Sequence, residues 1–331
     1  MEAINRQTYF DFLRGVAILL VIGIHTYTVR PFEGTSNIIQ IGFRESINFA
    51  VPLFLAISGF FTGRKKITSS VDYFSFLKRQ LPRVYLPAML WSLPMVVLCI
   101  LRGQNAMVVM GKGLLCMTFG PYYFIVLIMQ LYILLPVIKR LSFNPKVGGG
   151  ILLVINMLSV LVLIYVINNE KLTPVLYAGP FLYWIIFFYI GVCFSERNRN
   201  YSLIWPIMLI LAGFVAQVFE TKYLISCGYI GVGIKLSSWV YSAGIVLLLF
   251  SSKMEQLITK SGWFYQILVK IGGISFGVYL THVYFLIIEN TLLHTSNWIV
   301  SFIATALMTI IFVLGLKALL PARYRRVLGL N

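Results

Sequence analysis

From about residue 9 to residue 320 the chain is a succession of apolar stretches, each near the ~20 residues that an α-helix needs to cross a bilayer. Nothing else in the sequence constrains the fold as strongly. Hydrocarbon offers backbone N–H and C=O groups no partner outside their own segment, so each stretch is read as a helix. Polar breaks divide the series into ten spans: 9–29, 46–63, 84–101, 121–138, 148–167, 178–195, 202–219, 235–252, 271–289 and 298–320. Hydrophobic residues make up 59% of the 331 and charged ones 11%, against roughly 25% charged in soluble domains. The expected fold is therefore an all-α integral membrane protein, a bundle of ten transmembrane helices in one domain, residues 1–331. The first segment has no small-residue cleavage site behind it and is expected to be retained.

The breaks also give an orientation. An even number of spans puts both termini on one side, and twenty of the 27 lysines and arginines fall on that side. The other side holds Arg30, Arg44, Arg102, Lys112, Lys171, Lys222 and Lys235. By the positive-inside rule both termini are cytoplasmic. A net charge of +17 spread over every inner loop does not form the patch or stripe of a nucleic-acid site. The cysteines, Cys99, Cys116, Cys193 and Cys227, stand singly without a CxxC pair. They are expected to be small buried apolar residues, and no metal is expected. Between Gly63 and Arg83, an expected loop, six basic residues gather; Pro82 and Pro87 are expected to interrupt or kink the helix that follows. No internal repeat is visible.

Within the first span, "DFLRGVAILLVIGIHTY" carries Asp11, Arg14 and His25. At 100° per residue Asp11 and Arg14 lie about 60° apart, and Arg14 and His25 differ by about 20° after three full turns. All three fall on one stripe, with His25 roughly 21 Å deeper than Asp11. Ionisable groups in a membrane helix are costly and usually face a bundle interior or a wet cavity. One reading is an Asp11–Arg14 interfacial pair and a hydrogen-bonded packing histidine. The other is a polar channel, in which a neutral imidazole is suited to take a proton from a hydroxyl nucleophile.

Other positions carry two readings each. Ser58 and Gly59 in "SGFF" suit close helix packing, with Ser58 as a pore-lining donor the alternative. Tyr279 and His282 are one helical step apart and Tyr122 and Tyr123 open the fourth span, either in an interfacial aromatic belt or lining a site. His294 falls in a short outer loop and reads as solvated.

"YFDFLRGVAILLVIGIH" resembles the opening signature of the acyltransferase-3 family of integral membrane acyltransferases, and "VPLFLAISGFF" its second-span signature. "YYFIVLIMQLYILLPVI" and "SFGVYLTHVYFLI" continue the likeness in the fourth and ninth spans. The resemblance implies acyl transfer, usually of acetyl from cytoplasmic acetyl-CoA to a hydroxyl of a cell-envelope glycan or lipid-linked sugar, in the bacterial inner membrane. It implies His25, Arg14 and Asp11 as the catalytic group. Family members carry paired arginines, commonly three apart, at the start of the third span; here Arg79 and Arg83 are four apart, Lys78 precedes them and Gln80 stands three before Arg83.

Phosphates of acetyl-CoA cannot enter hydrocarbon, so Lys78, Arg79 and Arg83 are the expected donor-binding residues. Lys65 and Lys66 read as orientation signals or contacts to anionic membrane lipid. His25 would deprotonate the acceptor hydroxyl or accept the acetyl group itself. A transporter or flippase of a glycan precursor is the rival, since intramembrane charges also mark transport pathways; the sequence shows no inverted repeat and no matched broken helices. Succinyl transfer and a catalytically silent membrane sensor or scaffold are further alternatives.

Overall fold

The computed structural model describes residues 2–29, 37–169, 177–227, 233–259, 262–292 and 297–330, and every regular element among them is helical. In chain order these are α1 (Glu2–Val29), α2 (Asn37–Ser46), α3 (Ala50–Gly63), α4 (Ser70–Leu101), α5 (Ala106–Leu114), α6 (Tyr123–Ile133), α7 (Leu135–Ser142) and α8 (Pro145–Asn169). There follow α9 (Ile185–Glu196), α10 (Ile204–Ser226), α11 (Leu236–Phe250), α12 (Ser252–Ile258), α13 (Trp263–Gly273), α14 (Ser275–Leu292), α15 (Trp298–Leu319) and α16 (Ala322–Val327). His294, expected in an outer loop, lies outside the described residues.

Among the described residues, six segments are long and apolar enough to cross a bilayer, or nine if three bent helix pairs each count as one span. Ten were expected. The shortfall lies at 178–195, where a 3₁₀ turn at Phe181–Tyr183 leaves only Ile185–Ser195 as apolar helix, about 16 Å long. Three bends interrupt helix pairs that are continuous in apolar character. They measure 62° between α6 and α7, 68° between α11 and α12, and 80° between α13 and α14. Pro136 follows the first bend, and at the second Ser251 turns extended to cap α12. A single residue leaving helical geometry does not alter the hydropathy of a window, so neither break shows in an apolar count.

Helix α4 starts fourteen residues before the expected third span, at Ser70 rather than 84. The Ser69 hydroxyl accepts from the Asp72 backbone N–H, and the Asp72 carboxylate accepts from the Ser69 N–H, a reciprocal cap that starts the helix inside the expected loop. It then continues as one element through Pro82, Pro87 and Pro94.

Three helix pairs make the most extensive contacts, and glycine faces backbone in each. A Cβ on Gly15 would overlap the Leu268 carbonyl, and one on Gly272 the Asp11 carbonyl, which fixes the register of α1 against α13. Gly59 and Gly191 join α3 to α9 in the same way, and Gly213 and Gly244 join α10 to α11. Half of the apolar window of α1 is buried, against 22% in α4 and α10 and 28% in α8 and α15. The latter four helices turn large apolar side chains such as Leu101, Leu211 and Ile311 outwards, as a lipid-facing shell must. With the Ile38–Gly63 stretch, 61% buried, α1 is one of the inner helices. Two buried apolar clusters flank it, and Phe54 and Phe124 touch both.

Two sequence expectations change here. Cys116 is buried as expected and Cys99 and Cys193 are half-buried, but Cys227, at the end of α10, is exposed. Arg199, counted as an inner-loop charge, is instead buried; it pairs with Glu255 and stands over the rings of Phe10 and Phe60. A basic residue between spans need not be solvated when a carboxylate and two aromatic faces enclose it.

Candidate active site

The helical phase of α1 puts its polar stripe against a cavity of about 530 Å³. Arg14, His25 and Thr28 all line it, so the cavity follows roughly 21 Å of helix. Phe54 and Phe124, the side chains that border both apolar clusters, also line it. The 80° bend before α14 supplies Ser275 and Phe276 to the wall. Irregular backbone at membrane depth is tolerated where it lines such a space.

At one end Arg14 Nη1 donates to Asp11 Oδ1 at 2.6 Å, and the guanidinium lies 4.8 Å from the centre of the Phe61 ring. Asp11 itself does not line the cavity; it holds the arginine that does. The pair is partly open, with side chains 30% and 20% exposed, as befits a mouth. Ser58 also lines the cavity, while its neighbour Gly59 packs against the Phe188 backbone. The two readings of "SGFF" therefore divide between adjacent residues.

Lys78, Arg79 and Arg83 are exposed on α4 and do not line the cavity, though Val84 does. Arg79 Nε donates to the Ser75 carbonyl at 3.2 Å. Arg83 directly precedes Val84, so it stands next to the wall without forming part of it.

Deeper in, His25 faces the space, and among the described residues its ring nitrogens have no hydrogen-bond partner. A packing histidine would be hydrogen-bonded. The His282 ring centre lies 5.3 Å from that of His25, although His282 is fully buried and does not line the cavity. Its Nδ1 is 2.6 Å from the Tyr279 carbonyl, which can only accept, so Nδ1 carries the proton. Nε2 is left with a lone pair and no partner among the described residues. Tyr279 lines the cavity and donates to the Pro121 carbonyl. Tyr122 does not: it is buried, donating to the Leu280 carbonyl at 2.7 Å. Tyr123 lines the wall in its place, because the 3₁₀ turn at Gly120–Tyr122 sets the phase of the two adjacent tyrosines.

The far end was not anticipated. Arg44 and Lys235, counted as outer-loop charges, belong to one buried polar cluster. Lys235 Nζ donates to Glu45 Oε2 at 2.7 Å, and Glu45 also accepts from Asn48 Nδ2 and Thr221 Oγ1. Arg44 Nη1 donates to Asn48 Oδ1 at 2.7 Å, and both Arg44 and Asn48 line the cavity. The Tyr177 hydroxyl accepts from the Gly233 N–H at 2.8 Å and the Ile234 N–H at 3.3 Å, which ties together two chain segments at the rim. Burial pushes this phenol above its ordinary range. Gln130 bridges the Gly179 carbonyl and the Phe181 N–H, seating the segment that carries Trp184 into the wall. Among the described residues no three His, Cys, Asp or Glu side chains are grouped to hold a metal ion.

Fold and cavity together define a helical membrane protein that keeps arginine and histidine along one internal passage. A family model for an acyltransferase domain matches residues 7–317, nearly the whole chain, and the protein belongs to the acyltransferase-3 family. No curated protein and no solved structure matches the chain.

Proposed function

We propose that this membrane acyltransferase is an O-acetyltransferase of the bacterial inner membrane. It takes acetyl from cytoplasmic acetyl-CoA and passes it to a hydroxyl of an envelope polysaccharide or its lipid-linked precursor. The observation that carries the reading is that one cavity is lined by both Arg14 and His25, roughly 16 Å apart along α1. Both termini are cytoplasmic on this reading, so the Arg14 end is the donor side. The exposed Lys78, Arg79 and Arg83 meet the CoA phosphates, and the acyl arm passes Arg14 towards His25. Enterobacterial common antigen is the first acceptor to test.

At the reacting centre His25 takes the proton of the acceptor hydroxyl while the hydroxyl oxygen bonds to the thioester carbonyl carbon. Collapse of the tetrahedral intermediate breaks the C–S bond, and the CoA sulfur leaves as thiolate and receives the proton from His25. His282, with its ring beside that of His25, is a positioning residue in this scheme.

Incubation of the purified protein with radiolabelled acetyl-CoA and enterobacterial common antigen tests the reading. Label is expected in the glycan together with free CoA. No thioester loss with any glycan acceptor, alongside counterflow of a solute in vesicles, would replace acyl transfer with transport.

A further inference from the structure

The cavity wall also carries Arg44, a positive charge with no ion-pair partner among the described residues. Glu45, the acid next to Arg44, is already engaged: its carboxylate accepts from Lys235, Asn48 and Thr221. A guanidinium carries five N–H donors, and Arg44 spends one, on the neutral amide oxygen of Asn48. Among the described residues no carboxylate pairs with it. A desolvated cation without an ion-pair partner is costly, so a chain that keeps one at a cavity wall has a reason to do so. The position is also specific. Asn48 is itself tied to Glu45 and to the Gly233 carbonyl, so the Arg44 fork is held rather than free to swing. Beside it the rings of Tyr123 and Trp184 stack at 6.4 Å and both line the wall, offering apolar ring faces next to the charge.

We infer that this end of the cavity is the acceptor subsite and that Arg44 selects an acceptor bearing an oxyanion, which the planar guanidinium would grip bidentately. The choice of an acceptor rather than a donor rests on the acyl-transfer reading, because the CoA phosphates are assigned to the opposite end. The oxyanion has two sources, a carboxylate on the sugar or the phosphate that links a sugar to its lipid.

The full chain in nanodiscs, titrated calorimetrically with octyl β-D-glucuronide, geranylgeranyl diphosphate and neutral octyl β-D-glucoside, separates these. Wild type is expected to bind at least one charged probe about tenfold tighter than the glucoside, the effect of one good charge-assisted contact. Whichever charged probe is preferred identifies the source. Arg44→Gln is expected to abolish the preference with glucoside binding unchanged, and Arg44→Lys to keep part of it. Should Arg44→Gln not fold, loss of the wild-type preference at high salt supports the same assignment. Equal binding of all three probes, or a preference that survives Arg44→Gln, would overturn it. So would an equal fall in turnover of charged and neutral acceptors in Arg44→Gln, which would assign the arginine to the reacting carbonyl oxygen instead. Charge preference in a wild type that never consumes acetyl-CoA would sink acyl transfer while still supporting the anion subsite.

Discussion

Replacing Glu45 by Gln tests the polar cluster that sets the far end of the cavity. Glu45 and Lys235 side chains are 4% and 0% exposed and 2.7 Å apart, so the variant leaves a lysine charge buried against a neutral amide. Breaking a buried ion pair in this way costs about 3–5 kcal/mol, most of it the penalty of the uncompensated charge. Geometry adds to this, since Asn48 and Thr221 also bond the Glu45 carboxylate. The double variant Glu45→Gln/Lys235→Met removes both charges and is expected to recover most of the loss. Glu220, the other carboxylate near Lys235, keeps its own donors, the backbone N–H and hydroxyl of Ser237. Reversible denaturation of all four proteins in the same detergent gives the double-mutant cycle, with a coupling of about 2 kcal/mol or more expected. Additive losses would mean that Lys235 is not neutralised by Glu45, and the case for Arg44 as the unpaired charge would fall with it.

Gly272→Ala pushes a methyl group into the Asp11 carbonyl, backbone against backbone, so α13 must shift from α1. A loss of about 1–3 kcal/mol in denaturant titration is expected, and an unchanged midpoint would contradict the contact. Neutralising Lys78, Arg79 and Arg83 together is expected to raise KM for acetyl-CoA severalfold and leave kcat nearly unchanged, because all three are exposed and off the cavity wall. The KM effect should shrink at high salt, as screening dictates; a fall in kcat alone would place them in the chemistry instead.

What the sequence makes visible here follows from which physical constraint is local. Apolar runs of spanning length are a demand of the bilayer on each segment separately, so the main spans read directly. The stripe of Arg14 and His25 also reads directly, since helical phase is set by residue spacing alone. The helix start at Ser70 was legible in principle: Ser69 and Asp72 have the spacing of a reciprocal cap, but six basic residues in the same segment suggested a loop. The cluster of Arg44 and Lys235 did not show, because counting charges for orientation says nothing of which cations are buried. A hint was at hand for Arg44, which stands four residues before Asn48, just ahead of the apolar run that begins at Phe49. Nothing local could have joined Glu45 to Lys235, 190 residues away. Tyr122 and Tyr123 could not be told apart either, since which of two neighbours faces a cavity depends on the turn before them.

The central claim is that His25 does the chemistry at the end of a passage that begins at Arg14. Acetyl content of the surface glycan, measured in a host expressing equal amounts of wild type or His25→Ala, tests it most directly. The account predicts O-acetylated glycan with wild type and a loss of about a hundredfold or more with the variant, the scale of removing a general base. Normal acetylation by well-folded His25→Ala would contradict it.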